Sequence, residues 1–201
     1  MAYLKKIFLI GGGGHSNSIY DLIESTKKYK IIGFVDLKND NQFLSSKCQY
    51  LGSDEVIEDL IKDYQNTVIC IGQIKNSIKR IKIFNELIKL KANLPVIISP
   101  FGYVSNSAKI DVGTVIMHGA VINSNSSIGK NCIINSQSLI EHDVKIGNHN
   151  HISTGAKING GVEIGNQVFI GSGSIIKQGI KIGSKNLIPA GSVVMKDLPN
   201  K

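Results

Sequence analysis

Isoleucine stands at every sixth position from Ile110 to Ile188, fourteen times without interruption. The same phase continues to Val104 and Ile98 on one side and to Val194 on the other. A period of six fits neither a 3.6-residue helix nor a two-sided strand. It is the signature of a β-helix of hexapeptides, in which each hexad makes one short flat face and three faces close a coil. The isoleucine of every hexad points inward, where its burial contributes roughly 1.5–3 kcal/mol. Trp is absent and aromatics are few, so the core has to be aliphatic.

With three hexads per coil, residues 18 apart lie above one another, and the position two after each isoleucine falls at a corner. This gives three vertical columns: Val112, Lys130, Asn148, Asn166, Ser184; then His118, Ser136, Thr154, Ser172, Ala190; then Ser124, His142, Gly160, Gln178. Above His118 the second column holds only small residues, leaving a groove wide enough for a thin flexible ligand arm. Corners of such coils favour small and polar residues anyway, so that column alone fits packing as well as binding. In the third column His142 lies under Gly160. The glycine removes bulk above the imidazole and exposes a backbone N–H. A reacting carbonyl fits between them, with His142 as base and the Gly160 N–H stabilising an oxyanion. Glu141 and Asp143 flank His142, and a carboxylate beside a histidine fixes its tautomer and supports its charged form. A convex corner cannot enclose a ligand, so a second chain has to form the other wall, and a threefold assembly suits a triangular prism.

Before the ladder, strand and helix signals alternate. Strands are expected at residues 5–10, 31–35, 67–71 and 94–98, and helices at 17–28, 54–63 and 76–90, with Ser53 as an N-cap. Residues 11–15 form a glycine-rich turn, and residues 37–52 read as a loop on the ligand side. This pattern predicts a small parallel α/β sheet, a Rossmann-like half, over residues 1–95, followed by the coil over 96–201. Physically, Gly11, Gly12, Gly13 and Gly14 let the backbone approach a pyrophosphate at a helix N-terminus, and Asp36 closes the second strand, where it can accept hydrogen bonds from a base or ribose. Ile71 and Gly72, closing the third strand, border the same crevice. A glycine run alone also fits a plain tight turn, and His15 a hydrogen bond at the helix start.

The formal charge of +8 is spread evenly, with 14 Lys/Arg against 10 Asp/Glu in residues 1–95 and 9 against 5 in residues 96–201. Arg80 is the only arginine and no basic cluster exists, which argues against nucleic acid. The three cysteines, Cys48, Cys70 and Cys132, lack metal-ligand spacing and fit a reducing cytoplasm. The apolar run at residues 7–10 is too short for a signal peptide or a membrane span.

The hexads, the stretch Asn-Ser-Gln-Ser-Leu-Ile-Glu-His-Asp at residues 135–143, and the glycine turn with Asp36 together resemble one family. It is the bacterial sugar acyltransferases of left-handed β-helix type that act on sialic acids or nucleotide-linked 4-amino-sugars. The resemblance runs from Lys5 to Pro199. It implies left-handed coiling, a homotrimer with active sites between neighbouring prisms, and acetyl-CoA as donor. His142 matches the catalytic histidine, and Asp143 its acidic partner, which is usually Glu. His151 and Gly160 match positions at the acetyl end of the coenzyme, and Ser172 and Ala190 positions along its pantetheine. Gly11 to His15 and Asp36 match the sugar-nucleotide pocket. The family's usual tail near the adenine is not seen after Asp197-Leu198-Pro199.

The leading expectation is N-acetylation of the 4-amino group of a nucleotide-linked sugar. The alternative is O-acetylation of a sialic acid or related nonulosonic acid, and a further one is an inactive binding or scaffold protein. No metal is expected, because His118, His142, His149 and His151 lack the spacing of trimeric β-helix zinc enzymes. An NAD enzyme needs two mononucleotide-binding halves, and residues 1–95 supply one.

Overall fold

The hexad ladder closes into three parallel sheets. One carries Ile110, Ile128, Ile146, Ile164 and Ile182; the next Ile98, Ile116, Ile134, Ile152, Ile170 and Ile188; the third Val104, Ile122, Ile140, Ile158, Ile176 and Val194. We call these the first, second and third faces. Each strand is two residues long and pairs in register with the strand 18 residues away, as Ile128 does with Ile146. The structure is a computed structural model that describes residues 4–74 and 76–201. It divides into two compact units: Met1–Gly72 with Ile78–Pro95, and Gln73–Ser77 with Val96–Lys201.

A hexad turns its corner through a left-handed residue. Fourteen consecutive positions, three after each ladder residue from Gly113 to Gly191, have φ between 55° and 73°. Half are glycine, which takes this conformation without strain; the rest are Asn125, Asn131, Gln137, Asp143, His149, Gln167 and Lys185. Between Ile116 and Ile188 every ladder side chain is buried. Ile110, Val104 and Val194 pack partly against this core, and Leu198 packs on its last coil. Ile98, at the first end, is 37 % exposed and not enclosed.

A second inward position follows each turn; it is apolar at Val144, Val162, Val168 and Ile180 and small or polar at the other coils. Its polar groups are satisfied by turn carbonyls, as backbone geometry requires of buried donors. Asn150 Nδ2 donates to the carbonyls of Gly147 and Gly165, both at 2.8 Å, and its Oδ1 accepts the Val168 N–H at 2.6 Å. Replacing Asn150 by leucine leaves those groups unpaired and should cost at least about 1–3 kcal/mol, read as a lowered denaturant midpoint.

The first unit is a four-stranded parallel sheet. Its strands are β1 (Lys5–Ile10), β2 (Tyr29–Val35), β3 (Gln49–Gly52) and β4 (Thr67–Ile69), in spatial order β3-β2-β1-β4. Its helices are α1 (Gly14–Thr26), α2 (Gln42–Lys47), α3 (Ile57–Tyr64) and α4 (Ile78–Lys89). Ile7 to Ile10, Phe34, Val35, Val68 and Ile69 are buried, the continuous apolar runs of a covered parallel sheet.

Several sequence-based bounds shift. Helix α1 begins inside the glycine run rather than at residue 17. The expected loop at 37–52 contains α2 and the edge strand β3. The Ser53 side chain makes no cap bond, and a 3-10 turn, Asp54–Val56, precedes α3. The strand expected at 94–98 is shorter, Ile97–Ile98, and pairs inside the coil with Val115 and Ile116. It therefore extends the second face and not the α/β sheet.

Candidate functional site

The stacking register brings His142 and Gly160 together. A Cβ added at Gly160 would lie 2.7 Å from both Cε1 and Nε2 of the imidazole. Only a glycine leaves room for the ring there. Gly160 is buried, and its N–H donates to no acceptor among the described residues, while the neighbouring Gly161 N–H donates to His142 O at 2.9 Å.

Asp143 follows His142 at the left-handed turn position. Its Oδ2 lies 2.8 Å from His142 Nδ1. A carboxylate accepts, so Nδ1 carries the proton and Nε2 presents its lone pair toward Gly160. The second oxygen, Oδ1, accepts from Asn125 Nδ2 at 2.5 Å. The hydrogen bond from His142, and after it that from Asn125, hold the Asp143 carboxyl below the ordinary carboxylate range. Both His142 and Asp143 side chains are about half exposed (55 % and 53 %), so the pair is open to a substrate. Glu141, on the other flank, accepts instead from Asn123 Nδ2 at 3.0 Å.

His151 stands elsewhere. It lies in a strand of the second face and is only 6 % exposed. Its Nδ1 donates to the Gln73 carbonyl at 2.6 Å, and Nε2 lies 3.3 Å from the Asn135 amide. Gln73 is held in turn by its own Nε2, which donates to His149 O at 2.9 Å. A coenzyme reaching His151 therefore has to share or displace the Asn135 contact. Ser172 and Ala190 are exposed at the corner between the second and third faces, with Thr154 one coil below. A Cβ at the neighbouring Gly155, Gly173 or Gly191 meets nothing within 4 Å, so this edge is an open, small-residue strip. His142 and Gly160 occupy the other edge of the third face. Within one chain the two edges are separated by the width of that face.

In the first unit the order of strand addition reverses at β1, with β2 on one side and β4 on the other, so the switch-point crevice opens beyond the ends of β1 and β4. Gly11 follows β1, and Ile71 and Gly72 follow β4. The four glycines divide by cause. At Gly11 (φ 109°) a Cβ would lie 2.7 Å from Ile71 Cγ1, and at Gly12 2.7 Å from Asp36 Oδ2; these two serve packing. At Gly13 and Gly14 a Cβ meets nothing within 4 Å. Gly13 is the N-cap of α1 and Gly14 its first residue, so the open space lies at the helix N-terminus. His15, also in the first turn, packs beside Gly72, whose added Cβ would sit 3.7 Å from His15 Cβ. Asp36 is less free than the sequence suggests: Oδ2 accepts the Gly12 N–H at 2.6 Å and Oδ1 the Leu37 N–H at 2.8 Å. It braces the glycine turn, and each oxygen keeps one lone pair for a ligand. Asn41, in the segment read as a loop, joins this brace by donating to Gly12 O at 2.7 Å.

Burial pushes the Cys48 thiol up to about 11 and the Cys70 thiol up to about 12, so neither is a thiolate nucleophile near neutrality. Among the described residues no three His, Cys, Asp or Glu side chains converge as metal ligands, and no helix is long and apolar enough to cross a membrane. Sequence reasoning missed Asn125, Gln73 and Asn135 as partners of the site. The 18-residue register points to Asn125 directly beneath Asp143; nothing in the repeat points to Gln73.

Residues 6–87 match the PglD N-terminal domain and residues 125–160 the bacterial transferase hexapeptide repeats. UDP-N-acetylbacillosamine N-acetyltransferase of Bacillus subtilis is 30 % identical over 114 residues, covering 57 % of this chain and 52 % of that protein. The chain thus spans about half the length of this curated relative. The crystal structure of PerB from Caulobacter crescentus, in complex with CoA and GDP-perosamine, superposes with a TM-score of 0.90 at 26 % identity, over 99 % of this chain and 93 % of that one. The acetyltransferase domain of PglB from Neisseria gonorrhoeae, in complex with acetyl coenzyme A, gives 0.90 at 28 % identity, over 98 % and 94 %.

Proposed function

Because the chain belongs to the bacterial left-handed β-helix sugar acyltransferases with a PglD-type N-terminal domain, we propose that it transfers the acetyl group of acetyl-CoA to the 4-amino group of a nucleotide-linked amino-deoxy-sugar. The observation that carries this reading is the stacking of Gly160 on an imidazole whose Nδ1 is pinned by Asp143. The sugar amine attacks the thioester carbonyl, forming the C–N bond, and His142 Nε2 takes the amine proton. The oxyanion lies against the Gly160 N–H. Asp143 stabilises the imidazolium, which then protonates the departing CoA thiolate as the C–S bond breaks.

Two edges take part, and this supports a homotrimer. The pantetheine strip with Ser172 and Ala190 belongs to one edge of the third face and the base to the other, so one chain's strip serves a neighbour's His142. The outward residues of the third face run Tyr103, Val121, Leu139, Lys157, Ile175 and Val193, mostly apolar with one lysine among them, which suits an interface. Light scattering should give about three times the 21.8 kDa chain mass.

The open Gly13–Gly14 helix start suits the acceptor's pyrophosphate, with Asp36, Ile71 and Gly72 bordering the nucleoside. Nucleotide-sugar acceptors named for the relatives agree with that use of the first unit and favour N- over O-acetylation. The three cysteines are free of disulfides, which suits the cytoplasm, where nucleotide sugars are made.

The test is mass spectrometry after incubation with acetyl-CoA and UDP-, GDP-, dTDP- and CMP-linked sugars, amino and non-amino. One acetyl should appear on an amino-sugar nucleotide and survive mild alkali. An alkali-labile product on a sialic acid would replace this reading with O-acetylation, and no thiol release with any acceptor would leave an inert scaffold. Asp143 should stay ionised to lower pH than an ordinary carboxylate, because the hydrogen bonds from His142 and Asn125 hold its carboxyl low. Asp143's linked contribution to stability is present above its unfolded pKa and is lost as pH drops through the depressed folded one.

A further inference from the structure

We propose that Asn125 is the positioning residue of the acid–base pair: its amide clamps one oxygen of Asp143 so that the other is offered to His142. This rests on the reading of His142 as the base. Asn125 and Asp143 occupy the same turn position one coil apart, both with φ of 60°. Asn125 Nδ2 meets Asp143 Oδ1 at 2.5 Å while Oδ2 faces His142 Nδ1 at 2.8 Å.

The clamp is needed because packing does not hold the carboxylate. The Asp143 side chain is 53 % exposed, and a short carboxylate on an open corner rotates broadly about its last torsion. Above it the turn column continues as Gly161 and Gly179, which have no side chains to help. Below it the Asn125 main chain is held, its backbone N–H donating to Ser107 Oγ at 3.0 Å, with Ser107 Oγ 3.1 Å from Ser105 Oγ. An amide is the suitable donor. A lysine there would neutralise the carboxylate and weaken its hold on the imidazolium, whereas an amide orients it and leaves its charge. The other ionisable group flanking His142, Glu141, is engaged by Asn123 and does not compete for Asn125.

The experiment compares Asn125→Ala and Asn125→Asp with the parent chain, using thermal unfolding, the imidazole 1H–15N resonances of His142, and kcat and KM across pH. Both variants should keep the melting temperature within a few degrees. Asn125→Ala should lower kcat about tenfold with KM for acetyl-CoA unchanged, and should mix the His142 tautomers. Asn125→Asp sets a second carboxylate against the first; the added negative charge favours the imidazolium, so the acid limb of kcat/KM should move to higher pH. Parental kcat, pH profile and tautomer in both variants would overturn the proposal, as would a fall in melting temperature with the pH limb unmoved. If the parent chain acetylates nothing, the functional reading has failed. The tautomer of His142 in Asn125→Ala then still decides, and an unchanged Nδ1–H form rejects Asn125.

Discussion

His142→Ala lowers turnover by at least about a hundredfold, the usual contribution of a positioned general base. The loss should fall on kcat, because His142 meets the migrating proton and takes no part in holding the coenzyme's length. Folding should be spared. The side chain is half exposed, and what it gives the coil is its carbonyl, which accepts from the Gly161 N–H whatever side chain stands at 142. An unchanged rate would remove His142 from the mechanism, and a collapsed melting curve would show that the substitution tests stability instead.

Gly160→Leu should abolish acetyl-CoA binding while leaving the coil assembled. Already the first added carbon lies 2.7 Å from Cε1 and Nε2 of His142. The ring has to swing away from Asp143, and the rest of the leucine fills the space above it. Gly160→Ala separates the two causes: it displaces the ring and lowers kcat, yet leaves most of the coenzyme path open. Isothermal titration with acetyl-CoA checks both. Normal acetyl-CoA affinity in Gly160→Leu would mean that the acetyl group does not lie at this edge.

The ladder made the coil legible because burial repeats every six residues and nothing interrupts it. Its register places His142 under Gly160, since stacking in a β-helix is fixed by counting. The left-handed turn residues are less visible: half are not glycine, and the pairing of Asn125 with Asp143 is marked only by their separation of 18. The first unit was read well where apolar runs are long, as at residues 5–10. Strand β3 was missed because four residues at a sheet edge, half-buried and starting with Gln49, carry too little pattern. The contact that covers His151 is not legible in the repeat, because its partner Gln73 lies 78 residues away in sequence. Asp143, shorter by one methylene than the family's usual Glu, still reaches Nδ1 at 2.8 Å.

Each coil bonds only to the coils immediately above and below it, so cooperativity in this column is local and fraying should begin at its two ends. His142 belongs to the middle of the stack, with intact turns on either side. Terminal breathing at Ile98 or Val194 can therefore be frequent without loosening the base, and amide exchange should slow progressively toward the level where the chemistry is done.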